Sequence, residues 1–135
     1  ILATDISTKV LQKALEGVYP SKQLEQVPSD VMKKYFSKVS GSADSFAVNP
    51  LLKKYLTFKR LNLASFPYPL KGPLDVIFCR NVMIYFDREL RQSIVSEFAK
   101  LLKPGGYLFL SRSENLLGIN HPFRNVSTSV YQKAE

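Results

Sequence analysis

The sequence has almost none of the residues that carry metal and redox chemistry: among 135 residues there is one Cys, Cys79, one His, His121, and no Trp. A single cysteine cannot close an internal disulfide, and one Cys with one His is too small a set of soft ligands for a zinc site. No metal is therefore expected, and a reducing compartment is the natural setting. Long apolar runs are missing too. No stretch approaches the roughly 18 to 20 residues of a spanning helix, and no charged-then-apolar leader is present, which predicts a soluble, cytoplasmic protein without membrane insertion. Acidic residues are in deficit: 11 Asp plus Glu stand against 19 Lys plus Arg, a net charge of +8. Apolar residues are not in deficit, at 45%, and a chain of this length buries roughly two thirds of the surface that its unfolded form exposes.

The chain opens on Ile1-Leu2-Ala3-Thr4 without a Met, a strand-like run that reads as the inside of an element and suggests a piece of a longer protein. Asp5 ends that strand and Ser7 is placed to cap a helix, along which Val10, Leu11, Ala14, Leu15 and Val18 recur at helical spacing. Gly17 and Pro20 close it, and Pro28-Ser29-Asp30 opens a second helix through Val31, Met32 and Tyr35-Phe36. Turn residues Ser40 to Asp44 between two short runs, at 35–39 and 46–48, predict a small hairpin. Residues 56–63 alternate like a half-exposed strand.

Leu74 to Cys79 is a nearly continuous apolar run, of the kind a central parallel strand covered on both faces shows. Asp87 can cap the next helix, whose stripe is Leu90, Ile94, Val95, Phe98, Leu101 and Leu102, with Lys103-Pro104-Gly105-Gly106 as its terminator. A strand at 107–110 follows, then two short strands at 123–126 and 129–133 joined by a turn. Strands alternating with helices predict an α/β domain with a mainly parallel sheet.

Such sheets place ligands at the carboxyl ends of their strands, which nominates Asp5, Asn62 and the pair Arg80-Asn81. Asp5 could accept hydrogen bonds from ribose hydroxyls or merely start the helix cap. Asn62 and Leu63 by themselves read as an ordinary strand end. Cys79 reads as a small buried hydrophobe and His121 as a structural or exposed loop residue. Arg88 and Arg91 read as a solvated helix face, and Glu114 as a residue that caps a short helix or holds a nearby loop.

Residues 74–87, LDVIFCRNVMIYFD, together with ILATDIS, FKRLNL, LLKPGGYLF, SEN and the final VYQK, closely resemble the chemotaxis-receptor glutamate O-methyltransferases of the CheR type, over essentially the whole chain. The resemblance implies a Rossmann-like class I S-adenosylmethionine-dependent methyltransferase fold, taken up by residues 1–135. It implies that Asp5 holds the ribose of S-adenosylmethionine, that Asn62-Leu63 contact the adenine, and that Arg80-Asn81 line the cofactor pocket. Tyr85 matches a tyrosine beside the transferred methyl, and S-adenosylhomocysteine is the product. Tyr85 could alternatively be a core aromatic beside Phe86.

The implied partners are the cytoplasmic helices of methyl-accepting chemotaxis receptors. The segment at about 33–60, which corresponds to a small antiparallel β-subdomain, holds Lys33, Lys34, Lys38, Lys53, Lys54, Lys59 and Arg60 against Asp44 alone. Such a basic insert suits a Glu-rich target. The family's first strand and glycine-containing loop have no match here, so the fold is expected to be N-terminally truncated, and the fragment alone to bind cofactor weakly or not at all. Two other readings differ in class. One is a non-catalytic receptor-binding module derived from the same domain. The other is nucleic-acid binding, against which the aromatic residues stand apart from the basic ones instead of forming a stacking platform.

Overall fold

The computed structural model describes residues 1–134. The chain divides into two compact units, Ile1–Asn62 and the residues from Leu63 onward.

The first unit begins with β1 (Leu2–Asp5) and α1 (Thr8–Glu16). The Ser7 hydroxyl accepts the Val10 N–H at the N-terminus of α1, and Gly17 ends the helix at φ +63°, a left-handed conformation in which a side chain would be strained. The chain then forms β2 (Val18–Pro20), a 3-10 turn at Ser21–Gln23, α2 (Ser29–Tyr35), β3 (Phe36–Lys38), β4 (Ser45–Val48), α3 (Pro50–Lys53) and β5 (Thr57–Arg60). β1 and β5 pair in parallel, with Asp5 opposite Arg60. The predicted hairpin is β3 with β4, and β2 joins it to make an antiparallel sheet of order β2-β4-β3.

This small sheet differs from the expected insert in extent. Its strands run from Val18 to Val48, whereas Thr57–Arg60 belong to the β1 sheet. β2 leaves little mark in the sequence because Val18-Tyr19-Pro20 is three residues long and finds its partner, β4, 25 to 29 positions away.

The second unit holds the better core. It comprises β6 (Leu74–Phe78), a 3-10 turn at Met83–Tyr85, α4 (Arg88–Leu101), β7 (Leu102–Phe109), β8 (Phe123–Ser127) and β9 (Val130–Lys133), in one sheet of order β6-β7-β9-β8. β6 and β7 are parallel, and the last two strands form the expected antiparallel finish. The Asp87 carboxylate caps α4 by accepting the Leu90 N–H at 2.8 Å. Ile94, Val95, Phe98 and Leu101 on α4 and Leu102 and Leu108 on β7 are buried, each worth roughly 1.5–3 kcal/mol against leaving it in water.

Two expectations for this unit are corrected. The run of β6, which among the described residues pairs with β7 alone, is not covered on both faces, since Val76 and Phe78 are exposed; Phe78, 71% exposed, stacks on Phe109 with ring centroids 4.7 Å apart. The Pro-Gly-Gly segment does not simply stop the helix. Leu74 pairs with Leu102 but Val76 with Tyr107, so residues 103–106 bulge out of β7 while the ladder continues. Gly105 takes φ +73° in that excursion. A Cβ on Gly106 would lie 2.9 Å from the Lys103 carbonyl oxygen and 3.1 Å from that of Asp75 on β6, so the strands close up only around glycine.

Among the described residues no helix is long and apolar enough to cross a membrane, and no cluster of His, Cys, Asp or Glu could hold a metal ion.

Candidate active site

In each unit the polar residues singled out from the sequence stand where parallel strands end. In the first, Asp5 is the last residue of β1, and Asn62 follows Arg60, its register partner on β5, by two positions. One Asp5 carboxylate oxygen accepts the Ser7 N–H at 2.8 Å, a turn that fixes the side chain at the mouth of α1. Arg60 donates from Nε to the Ile6 carbonyl at 3.1 Å, which holds the chain that leaves β1.

In the second unit Arg80 and Asn81 follow β6, both exposed, and Leu63 is half-buried, its carbonyl accepting the Tyr68 hydroxyl at 2.9 Å. Asn81 adopts φ +58°, a left-handed conformation that a non-glycine residue keeps only when its surroundings enforce it. The enforcing group is Glu114. Its Oε2 accepts the N–H groups of Asn81 and Ser111, each at 2.9 Å, and its Oε1 accepts those of Val82 and Met83, each at 2.8 Å. Of the two roles read for Glu114, the structure gives it the holding of a loop. Tyr85 ends the 3-10 turn that follows, and at 79% exposure it is not a core aromatic.

The electrostatics follow from this geometry. Glu114 is only 4% exposed. Burial works against its charge, but the hydrogen bonds from Ser111, Asn81 and Val82 outweigh it and hold the carboxyl below its usual range. Burial pushes the Cys79 thiol up to about 12, and the nearby Glu114 charge adds to the effect.

Arg88 and Arg91 are not merely a solvated face. Arg88 donates from Nε to the Gly118 carbonyl at 2.9 Å and Arg91 from Nη2 to the Asn115 carbonyl at 2.6 Å, tying the segment after Glu114 to α4. Lys53 is also committed: its Nζ donates to the Leu15 and Glu16 carbonyls at the C-terminus of α1. His121 is structural, accepting the Phe123 N–H at Nδ1 and packing against Phe123 and Tyr131.

A cavity of about 120 Å³ lies beside the 3-10 turn, lined by Met83, Ile84, Phe86, Arg91 and residues 113–115. A larger, open groove of about 540 Å³ is lined by residues between Asn115 and Tyr131 and by none of the predicted site residues.

Residues 1–132 match the family described as CheR methyltransferase, SAM binding domain. The chain is 39% identical over 135 residues to chemotaxis protein methyltransferase 2 of Pseudomonas aeruginosa, covering 99% of this chain and 48% of the relative. It is 39% identical over 132 residues to the chemotaxis protein methyltransferase of Escherichia coli, covering 97% of this chain and 46% of the relative. Among solved structures, the glycopeptide N-methyltransferase MtfA complexed with S-adenosyl-L-methionine aligns with 93% of this chain and 40% of its own, at 18% identity and a TM-score of 0.47. The chain thus spans about half the length of the curated relatives it matches. With nearly every residue inside the family's match, the chain belongs to the CheR methyltransferase family, in its S-adenosylmethionine-binding domain.

Proposed function

We propose that this chain is the S-adenosylmethionine-binding part of an enzyme that methylates glutamate side chains on the cytoplasmic helices of chemotaxis receptors, giving glutamyl methyl esters. The family match over residues 1–132 supports the cofactor and the methyltransferase class. The observation that carries the reading to particular residues is the Arg80-Asn81 turn at the end of β6, held in a left-handed conformation by a buried carboxylate.

The donor set suits the cofactor. The bond from the Ser7 N–H to Asp5 uses a single lone pair, and a carboxylate has about four acceptor positions, which leaves capacity for two ribose hydroxyls. Asn62 and Leu63 would take the adenine, and Arg80 and Asn81 the remainder of the pocket. When bound, the cofactor supplies an electrophilic methyl on a sulfonium.

The chain's own residues then need to supply little chemistry. A glutamate side chain with an ordinary pKa of about 4.3 is already ionised at neutral pH, so no general base is required. Alignment and exclusion of water from the carboxylate are what remain. The exposed Tyr85 would orient that carboxylate through its hydroxyl or face the sulfonium with its ring. Tyr85→Phe separates these roles: methylation at an unchanged rate excludes the hydroxyl.

Lys33, Lys34, Lys38 and Lys54 would steer a Glu-rich receptor helix toward the small sheet, whereas Lys53 is already spent on α1. Among the described residues the second edges of β1 and β6 are unpaired. We therefore expect residues 1–135 alone to bind cofactor more weakly than the intact protein carrying them.

Calorimetric titration of the intact protein with S-adenosylhomocysteine tests the assignment. Asp5→Ala and Asn81→Ala should each weaken binding by about tenfold or more, the value of one well-made polar contact. Unchanged affinity in both would refute the site.

A further inference from the structure

We infer that Glu114 is a positioning residue of the methyltransferase site: its buried carboxylate sets the backbone of Asn81 to Met83, and through it the presentation of the Asn81 and Tyr85 side chains. The inference rests on the function proposed above and adds to it a residue with no contact of its own to the reacting groups.

The geometry is specific. Asn81, Val82 and Met83 offer three successive N–H groups that converge on one carboxylate, with the Ser111 N–H as a fourth donor, all at 2.8–2.9 Å. A left-handed residue within a run turns successive N–H groups toward one point, and Asn81 is that residue. Tyr85 lies two residues past Met83, whose side chain is 1% exposed, so the turn that carries Tyr85 is anchored at its first residue. Glu114 is itself fixed from the other side. The Glu114 N–H donates to the Ser111 carbonyl, and Arg91 on α4 holds the carbonyl of Asn115. The carboxylate is thus a rigid template between the ends of β6 and β7, which are neighbours through the Cys79 N–H to Phe109 carbonyl bond.

Charge matters as well as shape. A glutamine in the same place can keep an acceptor toward Val82 and Met83 but turns its NH2 toward the N–H groups of Asn81 and Ser111, donor against donor. The turn would then be released at Asn81, the residue proposed to line the cofactor pocket, before it is released at Met83.

The test uses the intact protein with three readouts. For Glu114→Gln, amide hydrogen exchange at Asn81 and Ser111 should speed up more than tenfold while the amides of α4 keep their protection. S-adenosylhomocysteine affinity and kcat for methyl transfer should fall about tenfold or more each. Ile94→Ala, a core cavity in α4, serves as the control for lost stability: it should leave affinity and kcat of the folded protein within about twofold. If Glu114→Gln frees the Asn81 amide yet binds and turns over like the native enzyme, the positioning role is wrong. It is equally wrong if Ile94→Ala reproduces the losses. If the native protein transfers no methyl at all, the proposed function fails, and the exchange data still decide whether Glu114 holds the turn.

Should Glu114→Gln fail to fold, Glu114→Asp keeps the charge and withdraws the carboxylate from the turn by one methylene: exchange at the Asn81 amide should speed up and S-adenosylhomocysteine affinity fall together. Full affinity with an unprotected Asn81 amide would overturn the inference.

Discussion

Cys79 offers a built-in reporter on the strand that ends at the candidate site. Its thiol is 5% exposed, its N–H donates to the Phe109 carbonyl at 2.9 Å, and burial with the neighbouring Glu114 charge pushes its pKa from an ordinary 9.0 up to about 12. Only the thiolate attacks a disulfide reagent. At pH 8 an ordinary thiol is ionised to the extent of about 0.1 and this one to about 10⁻⁴, so ionisation alone slows its reaction ~10³-fold before access is considered. Labelling with an aromatic disulfide reagent, read by peptide mapping in the intact protein and compared with the urea-unfolded chain, should therefore be at least ~10³-fold slower in the native state. The labelling that does occur should track transient opening of the β6–β7 ladder and rise with sub-denaturing urea. Labelling within tenfold of the unfolded rate, without denaturant, would show that the thiol is neither buried nor beside an anionic Glu114, and the loop geometry argued from that carboxylate would fall with it.

Two further outcomes follow from local geometry. Because the Glu114 carboxyl is held below its usual range when folded, it contributes stability above the ordinary value of about 4.3, and that contribution is lost as pH falls from about 5 through the lower folded value. Urea midpoints measured between pH 7 and pH 3 should drop over this window in the native protein, and the drop should be smaller in Glu114→Gln; parallel curves would contradict the bonding described. Gly106→Ala drives a methyl against two backbone oxygens at 2.9 and 3.1 Å and should cost about 1–3 kcal/mol by urea denaturation, whereas a neutral result would show that β6 and β7 do not approach as closely there.

Local chemistry was the legible part of the sequence. Ser7, Gly17 and Asp87 mark helix ends because each satisfies backbone groups within four residues of itself, and the apolar stripe of α4 is a periodicity that any reader can count. The β3–β4 hairpin was legible for the same reason, since its turn residues lie between its strands. What depended on distant partners was not. Leu74–Phe78 has the composition of a central strand, yet a strand's place in the sheet order depends on which segments pair with it, and among the described residues only β7 does.

Glu114 shows the same limit at the site. Ser-Glu-Asn after an apolar strand sufficed to read Glu114 as the cap of a short helix or the holder of a nearby loop, but not to say which loop, because three of its four donors lie some thirty residues upstream. Arg88 and Arg91 have the spacing of a solvated face, and their actual acceptors, the carbonyls of Gly118 and Asn115, leave no trace in helical periodicity. Asp5, Asn62 and Arg80-Asn81 could be nominated because a general rule about strand ends and a family resemblance agreed on them.

The proposed reaction transfers a methyl to a carboxylate. Incubating the intact protein with methyl-labelled S-adenosylmethionine and a chemoreceptor cytoplasmic fragment, then treating the product with mild base, addresses it directly. The predicted result is label on the receptor fragment that base releases as methanol, as a glutamyl ester must. Absence of label, or label that withstands base as an N-methyl group would, contradicts it.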